Sequence, residues 1–155
     1  MKRVQSWLGK KMGIMPGSEM LRAVKVAEHN GVHVEFIDQD LGITMERMKR
    51  IGWREKAKLI FFLFKGLSID RIASGPDKKQ VKVDLRKVPS REIVQEILRV
   101  MKKEFPGFYR VLVTERNSYM ARRLLMLSRV FNRIVAVTGA AHTPGLQSIL
   151  DQKRI

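Results

Sequence analysis

The chain has 155 residues, with 31 lysines and arginines against 15 acids, a formal charge of +16 and no cysteine. That length suits one domain, residues 1–155, with its own core, and is short for two. The absence of cysteine excludes disulfides and thiolate metal sites, and favours a cytoplasmic protein over a secreted disulfide scaffold.

Residues 1–15 mix basic and apolar side chains without a clean period and are expected to form an arm or a short helix. They lack the long apolar core of a signal peptide. Pro16-Gly17-Ser18-Glu19 reads as a helix start, and Met20, Ala23, Val24 and Ala27 recur on one face. Asn30-Gly31 can end that helix with a left-handed residue. Val32, Val34 and Phe36 alternate with His33 and Glu35, which predicts a strand that ends at Asp38-Gln39-Asp40. Thr44 reads as the N-cap of a helix over Met45–Trp53, and a second helix is expected from Glu55 to Phe64, with Gly66 as its stop. The aromatic turn Phe61–Phe64 suits a core, or alternatively a docking face.

Residues 67–89 read as an exposed loop region. Ser74–Gln80 is rich in turn formers and charge, and Val81, Val83 and Leu85 suggest a short edge strand. Pro89-Ser90 opens a helix with Ile93, Val94, Ile97, Leu98, Met101 and Phe105 on its apolar face, and Pro106-Gly107 ends it. A strand over Arg110–Thr114 comes next. The helix after Asn117 buries Met120, Ala121, Leu124, Leu125, Leu127 and Phe131. A further strand over Arg133–Thr138 precedes a last helix from Thr143-Pro144. Two β-branched runs about an amphipathic helix make a βαβ unit, so the predicted fold is α/β, a short and mainly parallel sheet flanked by helices. The longest unbroken apolar run, Leu59–Phe64, is far short of a membrane span.

Ligands of parallel sheets bind past the carboxyl ends of the strands. Glu115, Arg116 and Asn117 are expected past one such end, His142 past the next, and Asp38 and Asp40 past the first. A carboxylate, a fork-shaped cation and an amide within one turn suit the binding of a carbonyl or phosphate. They suit equally a helix start with a first-turn acid. Gly139-x-x-His142 puts a histidine on a tight turn, as a metal ligand, a base or a hydrogen-bonded structural residue. The aspartates fit a metal site or ordinary turns. His29 and His33 lie across a turn and are read as surface residues. The sequence contains no P-loop, GxSxG, HExxH or zinc-knuckle spacing. The charge alone would draw the chain to nucleic acid, an anionic membrane or acidic proteins, and is also compatible with a simply solvated basic surface.

The segments VLVTERNSYMARRL and IVAVTGAAHTPGL resemble the paired C-terminal motifs of the TraB family, which includes the pheromone-shutdown proteins. The family forms are "ERN/ERD-x-Y-M-A" and "V-V-G-A-G-H-x-x-G". Residues from MPGSEM to ITMERM resemble the earlier family pattern "G-x-E-M-x-x-A" then "D-R-D-I-x-I-T-x-x-R". The likeness runs from about Met15 to Gly145. TraB proteins are similar to the Tiki peptidases, a superfamily proposed to carry out metal-dependent hydrolysis with two GxxH motifs, a glutamate, and an Arg or Asn. The resemblance assigns Glu115, Arg116, Asn117 and His142 to catalysis. Gly139 and His142 match the second GxxH motif, which makes His142 the candidate ligand of a divalent metal; Asp38, Asp40, Gly139 and Tyr119 are the expected binding residues. The sequence departs from the family pattern in having no GT-x-H motif or "E-L-C-x-x-R" segment, Gln39 between the aspartates, and Ala141 before the histidine. The resemblance therefore implies a short form with an incomplete hydrolase site and a binding or regulatory role. No cofactor is expected in the isolated chain, since one histidine falls short of the roughly three protein ligands of a catalytic zinc. The rival readings are a metal-dependent hydrolase completed across a homo-oligomer, and a basic module on nucleic acid or an anionic membrane. A homo-oligomer, a peptide or protein partner, and a cytoplasmic or membrane-peripheral location are the accompanying expectations.

Overall fold

A computed structural model describes residues 17–64 and 91–153. The expected N-terminal arm, the loop region, the Val81–Leu85 strand, the Gly66 stop and the Pro89-Ser90 helix start lie outside the described residues. The ordered elements are helical: α1 (Ser18–His29), α2 (Leu41–Lys49), α3 (Trp53–Phe64), α4 (Arg91–Glu104), α5 (Pro106–Tyr109), α6 (Glu115–Leu127) and α7 (Thr143–Gln152). A π-helical turn, Arg110–Thr114, joins α5 directly to α6. Among the described residues there is no strand, so the predicted α/β fold with a parallel sheet is corrected to a helical one.

Three strands had been expected in this region, and each departs from the expectation for its own reason. The Val111–Thr114 run is β-branched, yet it continues the helix that Pro106 starts. Val111 and Val113 are 1% and 5% exposed there, so burial within a helical frame outweighs a weak local β preference. The other two, residues 32–38 and 132–139, are non-helical but carry no ladder. No backbone hydrogen bond joins 33–37 or 132–138 to any described residue, and a strand without a neighbour is not a sheet.

The segment 32–38 nevertheless has a definite course. His33 stacks on Phe131 with ring centroids 5.4 Å apart. Glu35 meets Arg123 at 3.4 Å. Ile37 packs on the cluster of Met120, Ala121 and Leu146, and Asp38 pairs with Arg116. The segment thus runs antiparallel to α6, and the lengths agree, since five extended steps and eleven helical ones each cover about 16 Å. Its odd residues turn towards α6. Of the alternating apolar set, Val32 is 59% and Phe36 79% exposed, while Val34 between them is half-buried.

Two cores hold the helices. Ile51, Phe105, Phe108 and Val111 form the first, with Met48, Leu59, Phe62, Met101 and Leu112 around them. Phe62 meets Phe105 edge-on at 5.3 Å, while its neighbour Phe61 is exposed. The second gathers Met120, Ala121 and Leu146 with Ile37, Ile149 and Leu150. On an uninterrupted helix the stripe of Phe108 and Val111 and that of Asn117, Met120, Ala121 and Leu124 would point roughly opposite ways. The π turn takes up an extra residue, about 100° of rotation, which narrows the angle between them while each still feeds its own core.

Boundaries shift with local chemistry. Asp40, not Thr44, caps α2, accepting from the Gly42 N–H at 2.7 Å. The helix before Pro106-Gly107 ends there as expected, α4 stopping at Glu104 and Phe105 leaving helical geometry (φ −136, ψ 60); Pro106 then takes the first turn of a new helix, α5, and the Phe108 N–H donates to the Glu55 carboxylate at 3.0 Å. After α1, Gly31 adopts φ +64, the left-handed stop expected from Asn30-Gly31. None of the helices in the described residues is long and apolar enough to cross a membrane.

Candidate functional site

The site forms where the first turn of α6, the start of α7 and the Asp38–Asp40 turn meet. The π turn immediately before Glu115 sets the direction in which the Glu115-Arg116-Asn117 triplet leaves the helix, and such turns often lie at functional positions. Arg116 meets Asp38 through two points, Nε to Oδ1 at 3.1 Å and Nη2 to Oδ2 at 2.5 Å. Its remaining nitrogen donates to the Leu112 carbonyl at 3.3 Å. Asn117 is buried and accepts, through Oδ1, from Nδ1 of the buried His142 at 2.7 Å. With its Nδ1 proton so engaged, the ring leaves Nε2 as a lone pair with no hydrogen-bond partner among the described residues.

Electrostatics follow from these contacts. Burial works against the Asp38 carboxylate. The hydrogen bonds and charge of Arg116, the Gln39 N–H and the nearby His142 outweigh it and hold the carboxyl below its ordinary value. Burial and then the Arg116 charge push the His142 pKa down, against the pull of Asp38, so the imidazole is neutral near pH 7.

Glu115 turns away from this pair. It binds Arg47 at 2.7 Å and lies 3.5 Å from Arg110. Asp40 is spent on the α2 cap. Gly139 closes the turn before the histidine, its carbonyl accepting from the His142 N–H at 2.8 Å. Tyr119 is exposed. The structure therefore brings together Asp38, Arg116, Asn117 and His142, and leaves Asp40 and Glu115 in other contacts.

Sequence reasoning missed four contributors. Gln39 and Thr44 are buried and share a hydrogen bond of 3.1 Å, and Arg47 reaches both Gln39 and Glu115. Gly145 admits the Asn117 amide: a Cβ there would stand 2.1 Å from Nδ2. All four occupy positions of the motifs quoted above, Gln39 between two aspartates, Thr44 and Arg47 in the I-T-x-x-R pattern and Gly145 after the histidine, but nothing in the motifs gives their contacts.

The arrangement is that of a helical domain with a polar site built from an Arg–Asp couple and an Asn–His couple. The model of the TraB/PrgY/gumN family matches residues 1–154, and the chain belongs to that family. It is 36% identical over 143 residues to an uncharacterised protein of Methanocaldococcus jannaschii, covering 92% of this chain and 34% of that protein. It is 25% identical over 166 residues to a TraB domain-containing protein of Bos taurus and 24% identical to one of Homo sapiens, covering 94% of this chain and 40% of each. The chain thus spans well under half the length of these relatives. No solved structure matches it.

The family resemblance implies a metal, and the described residues can be tested for it. They hold no group of three His, Asp or Glu side chains placed to share an ion. Nε2 of His142 is one candidate donor, but the neighbouring Asp38 is engaged on both oxygens by a guanidinium that repels a cation. These residues do not fit a catalytic metal.

Proposed function

We propose that this domain is a binding or regulatory module of the TraB family, and that Arg116 takes the carboxylate of a peptide or protein ligand. The observation that carries the reading is the two-point Arg116–Asp38 contact. A planar guanidinium matched to Asp38 is matched equally to an incoming carboxylate. Both partners are part-exposed, with side chains 26% and 49% accessible, so exchange needs no opening of the core. Asn117 and His142 form the buried floor beside it, and Nε2 offers one acceptor to a ligand N–H.

A hydrolase completed across a homo-oligomer is the second reading. The Nε2 lone pair of a neutral His142 favours it, as a base or a ligand awaiting others. Binding of nucleic acid or an anionic membrane rests on net charge alone and ranks below both. A cytoplasmic or membrane-peripheral setting fits all three.

Calorimetry separates the first two readings. A short peptide with a free C-terminal carboxylate is expected to bind at least about tenfold more tightly than its amidated form, a difference of about 1.4 kcal/mol. Arg116→Ala should remove that difference. Equal binding of the two peptides would refute the carboxylate reading. A stoichiometric zinc, cobalt or manganese site that vanishes in His142→Ala would put the hydrolase first.

A further inference from the structure

The two extended segments have features the polar site does not use. Both start at the far end of α6, where His33 stacks on Phe131, and both finish at the site, one at Asp38 and the other just before His142. They therefore run in the same direction. The backbone amides and carbonyls of 33–37 and 132–138 have no backbone partners among the described residues. Open strand backbone of this kind is a template for another strand.

The side chains point the same way. On the first segment Val32 and Phe36 are 59% and 79% exposed, facing away from α6; on the second, Val135 and Val137 are 84% and 49% exposed. Val135 and Val137 lie two residues apart and Val32 and Phe36 four, spacings that fit side chains of a partner strand. The charges at the start of the second segment choose the kind of partner. Arg129 and Arg133 are exposed and form no ion pair with any described residue. The chain carries +16 overall. A second copy would bring that charge against itself, whereas a strand bearing carboxylates neutralises it.

We infer that the residues 32–37 and 133–138 form a strand-addition surface for an extended acidic segment of another polypeptide, in which apolar and acidic residues alternate. Main-chain hydrogen bonds supply the affinity. The exposed valines and Phe36 take the apolar positions, and Arg129 and Arg133 the acidic ones. This proposal does not depend on the carboxylate reading of Arg116.

The test uses the whole chain and a fluorescent peptide of alternating valine and glutamate, acetylated and amidated at its ends, read by anisotropy. Three companion peptides carry lysine for glutamate, a scrambled order, or N-methyl groups on alternate backbone nitrogens. The acidic peptide should bind, each companion should bind at least about tenfold more weakly, and added salt should weaken binding. Val137→Pro, which removes an open backbone donor, and Arg133→Glu should weaken it likewise. Both positions are exposed, and unchanged circular dichroism would show that each variant folds. Equal binding of the N-methylated or scrambled peptide would mean mere adsorption to a polycation and would overturn the inference. So would absence of binding. Sedimentation showing a dimer of the free chain that Val137→Pro dissolves would assign the surface to a second copy instead.

Discussion

Gly145→Ala reverses the usual effect of that substitution in a helix. Gly145 lies in the first turn of α7, where alanine ordinarily stabilises by up to about 1 kcal/mol. Here the new Cβ would stand 2.1 Å from Asn117 Nδ2 and 3.2 Å from Cγ. An amide on a side chain normally yields, but this one is 5% exposed and held by its 2.7 Å bond to His142. Moving it breaks that bond and leaves two buried polar groups unpaired, at about 1–3 kcal/mol. Crowding the packed interface of α6 and α7 costs about as much again if nothing yields. The expected net loss is about 1–3 kcal/mol, measured by urea unfolding followed by circular dichroism. In an Asn117→Ala background the obstacle is gone, and the same substitution should become neutral or stabilising. The two positions should therefore couple by at least about 1 kcal/mol. Stabilisation of the parent chain by Gly145→Ala, or a coupling below about 0.5 kcal/mol, would refute the role assigned to the Asn117–His142 pair.

The His142 pKa is depressed on folding, so the unfolded chain binds its proton first. Stability should be full above the ordinary histidine value and fall as pH drops from about 6.5 towards the folded value; His142→Gln should flatten that limb of a pH–stability curve. Asp38, also depressed, adds stability that is full above its ordinary carboxyl value and is lost at lower pH, below about 4; Asp38→Asn should remove this second limb. Arg116→Lys should change unfolding free energy by less than about 1 kcal/mol, because the pair is part-exposed. It should nevertheless cost most of the carboxylate selectivity in calorimetry, since an ammonium cannot reproduce the fork. Glu55→Ala should destabilise the chain by about 1 kcal/mol in urea, by removing the acceptor of the Phe108 N–H at the start of α5.

The sequence by itself determined the helices whose signals are local. The apolar spacing of α1 and α4, the Asn30-Gly31 stop and the Thr143-Pro144 start are read from neighbouring residues, and the structure places helices there. Its motifs also determined the family. Tertiary structure decided everything that depended on a partner distant in sequence. Val111–Thr114 reads as a strand because β-branched residues resemble one, but the packing of Phe105, Phe108 and Ile51 made it the π turn of a long helical course. Residues 32–37 alternate as a half-buried strand does, yet alternation cannot say which side faces the protein. The contacts of His33 with Phe131 and of Glu35 and Ile37 with α6 decided that Val32 and Phe36 are left exposed. In the site, Arg116 and Asn117 stand out as residues, but their occupations do not. Asp38, 78 positions away, claims the guanidinium, and His142, 25 positions on, claims the amide. Gly145 stands in a motif, but its reason shows only once that amide is seen beside it, because the space a glycine leaves is a property of what packs against it.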